Sequence, residues 1–366
     1  MSQFVVATRK GLFVLNAQTH AICRSAFLGD PVTAVLSDPR DGVLWAAVGH
    51  GHAGAKLFSS KNAGETFVET AAPQYPKKPE GLDDKDPVHG TDVPWKVEQI
   101  WCLEAGRITE PGVLYAGTIP GGFFTTRDSG DSWELCESLW LSDARKQWFG
   151  GGYDHPGIHS ICVDPRQDKA LTIGVSCGGV WHSADGAKTF QSRSKGMWAA
   201  DVPEERKQDD AIQDPHRIVR CSAEPKVLWC QHHNGVFRSE DDGLNWTELT
   251  NVPPSSFGFA VAAHPKDPLA AWFVPLDSDS RRMPVDGKVV VARTRDGGKS
   301  FDVLTEGLPQ SDAFDVVYRH ALDVSPDGDT LVMGSTTGSL FISNDAGDSW
   351  HSLHHLPPIY AVRYWH

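Results

Sequence analysis

His159, His216 and His320 stand in three separate stretches of the chain, each beside a short apolar run of strand character. Neutral imidazole coordinates divalent metals, and near neutral pH it shuttles protons. Three such rings brought together would make a metal centre or an acid–base site. Arg217, next to His216, offers a fork of donors to a carboxylate or phosphate. Glu98 and Tyr360 sit at the starts of similar runs and add acid–base groups. The set expected to act in catalysis is therefore Glu98, His159, Arg217, His320 and Tyr360. Arg217, Gln99, Trp148, His232 and His233 are expected to contact a substrate, and His159, His216 and His320 to hold a divalent ion if one is bound. Competing readings stay open. The histidines would serve equally as hydrogen-bonded lining, Arg217 as a bridge to Asp214 or Glu98, and Trp148 as packing for its own loop.

The elements that must position these groups are announced by a repeat. The pattern Ser/Thr-x-Asp-x-Gly-x-Ser/Thr-aromatic begins at Ser60, Thr126, Ser183, Ser239, Thr294 and Ser343. Its third position holds Asn62, Asp128, Asp185, Asp241, Asp296 and Asp345. Successive starts differ by 66, 57, 56, 55 and 49 residues, room for one four-stranded unit plus loops. Turn chemistry accounts for every position: the carboxylate accepts from turn amides, glycine supplies a backbone that other residues resist, and the aromatic packs between sheets. These aspartates are expected to be structural. The pattern resembles the Asp-box (BNR) repeat of sialidase-like and sortilin-like β-propellers. That resemblance implies a site on the face opposite the boxes.

Strand pairs recur with the same spacing. A strand, turn and strand at 4–14 has relatives at 113–126, 171–183, 227–239 and 331–343, and looser copies at 43–60 and 270–294, seven in all. Another apolar strand precedes each pair after the first, and a seventh, Tyr360 to Tyr364, has no pair following it. Its partners must be residues 4–14, so one unit is assembled from both ends. The expected fold is all-β, a seven-bladed propeller with four antiparallel strands per blade, residues 1–366 forming one domain. Long loops at 72–99, 140–157, 192–216, 274–287 and 304–319 are expected on the site face.

Aligning the inner strands on their turns puts Thr33, Gln99, His159, Arg217, Phe259, His320 and Tyr360 around the channel mouth, with Glu98, His216 and Arg319 as alternates one residue away. Nearby turns and links add His50, His52, His89, Asp154, His155, His232 and His233. Cys177 reads as an ordinary buried thiol and Gly150-Gly151-Gly152 as a flexible turn, since neither has the context of a nucleophile or phosphate cradle.

Composition narrows the partners. A formal net charge of -13 disfavours nucleic acid and anionic membranes, which need clustered Lys and Arg. Seven scattered cysteines without a C-x-x-C pair fit a reducing compartment, and no secretory or membrane-spanning run occurs, so a cytoplasmic location is expected. The sialidase arginine motif has only a weak echo, His216-Arg217-Ile218-Val219, mid-chain and without proline. Three functions are carried forward. The first is a hydrolase or lyase acting on a small polar or anionic substrate, with a metal as possible cofactor. The second is a non-catalytic scaffold or assembly factor binding a protein partner, and the third is a glycosidase using Glu98 with Asp154.

Overall fold

The computed structural model describes residues 2–49, 51, 54–167, 169–200 and 202–365. Its strands form seven four-stranded antiparallel sheets. We number the blades by their inner strands: Val32–Ser37, Gln99–Ala105, Ile158–Val163, Pro215–Arg220, Gly258–Ala263, Leu322–Val324 and Ile359–Trp365. These strands pack against one another around the ring; the Thr33 hydroxyl, for example, donates to the Ile100 carbonyl of the next blade at 2.8 Å. Apolar β-branched and aromatic residues fill both sheet faces, and the core lies between blades rather than inside one.

Blade 7 closes the ring as expected. Gln3–Thr8 pairs antiparallel with Ile359–Trp365, from Gln3 opposite Trp365 to Thr8 opposite Ile359, and on its other side with Gly11–Asn16. No sheet edge is left open at the join, and both ends of the chain are tied into one ladder.

The repeated octapeptide forms the same turn six times. At the last copy, Asp345 Oδ1 accepts from the Ser343 hydroxyl at 2.7 Å and the Ser349 amide at 2.9 Å, while Oδ2 accepts from the Ser349 hydroxyl at 2.6 Å. The fourth and fifth residues of each copy both have positive φ: Ala346 at 56° and Gly347 at 94° here, Gly186 at 77° and Ala187 at 67° in the third copy. Because two successive positions need the left-handed region, glycine at either relieves part of the strain, which is why the third copy tolerates its shifted glycine. The closing aromatic reaches back to the preceding blade, as when Trp246 Nε1 donates to the Arg193 carbonyl at 2.7 Å.

Two of the long links brace each other. Arg145 makes a two-pronged pair with Asp84, at 2.7 and 2.9 Å, and Trp95 Nε1 donates to the same carboxylate at 2.8 Å. The guanidinium lies 4.1 Å over the Trp140 ring, and both charged groups are buried. Removing either partner would strand a charge in the interior, so loops 72–99 and 140–157 act as one fixed wall. Trp95 thus packs its own loop. Among the described residues no helix is long and apolar enough to cross a membrane.

Replacing Asp345 by alanine leaves the amide and hydroxyls of its turn without their acceptor. We expect a loss of about 1–2 kcal/mol in denaturant unfolding, with the ring intact by circular dichroism.

Candidate functional site

The pairing register of the inner strand slips near its start in six blades: between Val32 and Ala34, Ile100 and Cys102, Ile158 and Ser160, Pro215 and Arg217, Gly258 and Val261, and Ile359 and Ala361. Each slip is a β-bulge, which leaves a residue without a ladder partner and re-aims its side chain. The displaced residues include Thr33, Trp101, His159, His216, Phe259 and Tyr360. In blade 6 His320 occupies the same level, bridged to Ala361. The bulges correct the expected ring in two blades, where Trp101 replaces Gln99 and His216 replaces Arg217.

All of these except His159 line a cavity of about 810 Å³ at the channel mouth, walled by the links and the middle hairpin turns. None of the six repeat-turn aspartates or asparagines lies there. On one side Asp214, His216 and His233 converge. Asp214 Oδ2 is 3.4 Å from His216 Nε2 and 3.5 Å from His233 Nδ1. Asp214 Oδ1 is held separately, by the Cys177 amide at 3.0 Å and the Ser176 hydroxyl at 3.3 Å. His216 Nδ1 donates to the Gly258 carbonyl at 2.7 Å, and its ring stacks on Phe259 at 4.5 Å. Burial pushes the His216 imidazole below its ordinary value despite Asp214. The Asp214 carboxyl, which burial alone would raise, is held well below the carboxylate range by His216, Arg319 and His233. At neutral pH the pair is a neutral ring beside a carboxylate.

Arg319, 9% exposed, also lines the cavity, with its guanidinium carbon 4.8 Å from the Trp101 ring and 5.2 Å from Phe259, the ring on which His216 stacks. Its Nε has no hydrogen-bond partner, and no carboxylate lies within 4.0 Å of it among the described residues. The other buried arginines differ: Arg145 has Asp84, and Arg293 has Asp302 and Asp348. Arg282, also at the rim, is taken by Asp279.

The cavity also gathers Glu98, Gln99, His320 and Tyr360. Glu98 is half-exposed, 3.6 Å from His155 Nε2. Burial raises the Tyr360 phenol, which keeps it protonated. Other expected groups lie elsewhere. Arg217 sits below the mouth, donating to the His159 carbonyl at 3.1 Å, so Arg319 rather than Arg217 faces the cavity. Trp148 is buried against Trp181, ring centroids 5.8 Å apart, and is core rather than a substrate wall. His232 is fully buried, with the Asp214 and Asn234 amides 3.0 and 3.1 Å from its ring nitrogens; burial brings its pKa to about 3. It supports the site from behind while His233 faces the cavity.

The three histidines expected to share a metal are not brought together. His320 Nε2 donates to the His159 carbonyl at 2.7 Å, and His159 Nδ1 is spent on Ser160 Oγ at 2.8 Å, beneath Trp101. Only His216 remains in a candidate set. Asp154 is outside the cavity lining, so it does not face Glu98 there. His89 Nδ1 is paired with Asp86 at 3.1 Å. His50 and His52 lie outside the described residues. Cys177 is buried at the cavity wall and its thiol is pushed well up by burial and Asp214, which leaves it inert as a nucleophile.

No protein-family model and no curated protein sequence matches the chain. Solved structures do. The GH74 enzyme of Niastella koreensis and the GH74 xyloglucanase of Xanthomonas campestris each superpose with a TM-score of 0.64 at 16% identity, over 97% of this chain and 52% of theirs. The chain spans 38% to 52% of the GH74 enzymes it matches. YCF48 from Cyanidioschyzon merolae superposes at 0.55 with 10% identity, over 88% of this chain and 84% of that one. At these identities the likeness establishes the propeller fold, shared by enzymes and by proteins of other kinds.

The buried ring also predicts acid sensitivity. Burial, reinforced by nearby arginines, holds His159 and His320 neutral, well below their ordinary value. Unfolding restores a pKa near 6.5, so their contribution is full above about pH 6.5 and is lost as pH falls through that value toward the folded pKa. Each should cost about 1.4 kcal/mol per pH unit across that window in denaturant titrations. His159→Gln, which cannot titrate, should flatten the slope.

Proposed function

We propose that this chain is an enzyme, a hydrolase or lyase, that takes a small polar or anionic substrate into the channel-mouth cavity. The observation that carries this reading is Arg319, a buried cation in the cavity wall whose Nε has no hydrogen-bond partner and which, among the described residues, no carboxylate reaches within 4.0 Å. A charge so placed is costly unless something pairs with it, and an anionic ligand would do so. Arg319 would hold the substrate anion against Trp101 and Phe259, while Glu98 exchanges protons with the reacting group. Tyr360, protonated, would donate to developing negative charge. The rigid wall made by loops 72–99 and 140–157 would keep these groups at fixed separations.

The repeat turns support kinship with Asp-box propellers at the level of scaffold, and the seven free cysteines support a reducing, cytoplasmic setting. The glycosidase reading is weaker, since Glu98 lacks a facing Asp154. A scaffold reading draws on YCF48, one structure of which is bound to a D1 peptide. Its partner would have to cover the same loop face.

The test is a panel of carboxylic and phosphoric esters, lactones and hydroxy acids, assayed with wild type and Arg319→Met. Turnover of one class, falling about 100-fold or more in the variant at unchanged melting temperature, is the expected result. No turnover across the panel, together with capture of a peptide through the loop face, would move the scaffold reading ahead.

A further inference from the structure

We infer that Asp214, His216 and His233 form a binding site for one divalent transition-metal ion at the wall of the cavity. This inference deepens the enzymatic reading and rests on it for the ion's use, though not for its binding. Among the described residues this is the one group of three ligand-type side chains whose donor atoms all fall within 4.8 Å of one another.

The spacing suits an ion. Ligand bonds of about 2.0–2.1 Å in tetrahedral array put donor atoms roughly 3.3–3.5 Å apart. The two edges at Asp214 Oδ2 measure 3.4 and 3.5 Å. Those distances are too long for good hydrogen bonds and too short to hold a second shell of water.

The hydrogen-bond roles point the same way. His216 donates through Nδ1 to the Gly258 carbonyl, so its neutral ring turns the Nε2 lone pair toward a carboxylate oxygen. His233 Nδ1 approaches that same oxygen. In its Nε2–H tautomer His233 turns the Nδ1 lone pair to the same point, and a single ion at the common centre then meets all three donors.

Each ligand is also fixed from behind, as metal ligands are. Asp214 Oδ1 is tied to the Cys177 amide, and the Asp214 amide donates to His232 Nε2 at 3.0 Å. The His233 amide donates to the Asp214 carbonyl at 2.9 Å, clamping the two ligands together through the backbone. Phe257 and Phe259 hold the imidazole planes, the two rings of His216 and His233 lying 5.3 Å apart at 86°. Two nitrogens and one carboxylate suit zinc, manganese or ferrous iron and leave coordination positions free. All three ligands line the cavity that Arg319 also lines, so those positions would be open to a substrate held there. A bound ion there would supply Lewis-acid polarisation of a substrate oxygen.

The experiment is calorimetric titration of chelator-treated protein with zinc and with manganese, backed by native mass spectrometry. It compares wild type, His233→Ala, Asp214→Asn and His320→Ala. His233 is at the cavity surface, so its alanine variant should keep the wild-type melting curve; Ser176→Ala, which touches only the far carboxylate oxygen, serves if Asp214→Asn does not fold. The expected result is one ion per chain in wild type and His320→Ala, at least about 100-fold weaker binding in His233→Ala, and about 10-fold weaker binding in Ser176→Ala. No uptake by wild type at micromolar metal, or unchanged uptake in His233→Ala, would overturn the site. Since no substrate is needed, a metal that binds without any turnover keeps this site and sinks the enzymatic reading. Turnover that survives metal removal keeps the enzymatic reading and overturns the ion's part in it.

Discussion

Everything at the channel mouth depends on one backbone irregularity, the extra residue near the start of the inner strands. A regular strand assigns each side chain to one face of its blade, and both faces are packed against neighbouring blades. Such a strand has little to offer a ligand. The bulge gives up one ladder pairing and turns a side chain toward the axis instead. Repeated around a ring, the device delivers Trp101, His216, Phe259 and Tyr360 to a single level from four different blades. The blades themselves stay interchangeable, and identity resides in what each bulge carries.

Around that level the links determine the electrostatics. Arg145 and Arg293 are buried with carboxylates within reach, and they stiffen loops. Arg319 is buried against two aromatic faces, which exclude water without neutralising charge. Asp214, in the same lining, is held as an anion by the Cys177 amide and by His216 and His233. The cavity lining therefore carries both signs of charge, on Arg319 and Asp214, without a direct ion pair between the two. That is a dipolar pocket, suited to a molecule with a charged end and a reactive polar end.

The fold was legible because its signals are local and repeated. Ser343 to Trp350 is readable as a turn on its own, and six such turns with seven strand pairs leave few alternatives. Even the shared blade is legible, as a strand at 360–364 that matches the inner strands and a strand pair at 4–14 that lacks one. The site was only half legible. Glu98, His216, His233, His320 and Tyr360 are at the cavity, but Arg319 entered the expectation only as an alternate and Trp101 had no place in it. Alternation of apolar residues carries no mark of a bulge, so the register at blades 2 and 4 was off by a residue or two. Trp148 looked like a loop aromatic because its partner Trp181 is 33 residues away. Asp214 was read as a bridge for Arg217, since a two-residue spacing to His216 predicts proximity only once the bulge is known.

Closure of the ring has a consequence for when the site exists. Blade 7 takes its inner strand from residues 359–365 and the rest from the amino-terminal region. During synthesis six blades can form in order while Gln3–Thr8 waits with an unpaired edge. Tyr360 belongs to the strand that covers that edge, and His320 reaches its level by bridging to Ala361 of the same strand. Ring closure and completion of the cavity are thus one event. Until that strand docks the pocket is incomplete, for it lacks Tyr360, and His320 lacks the strand to which it bridges.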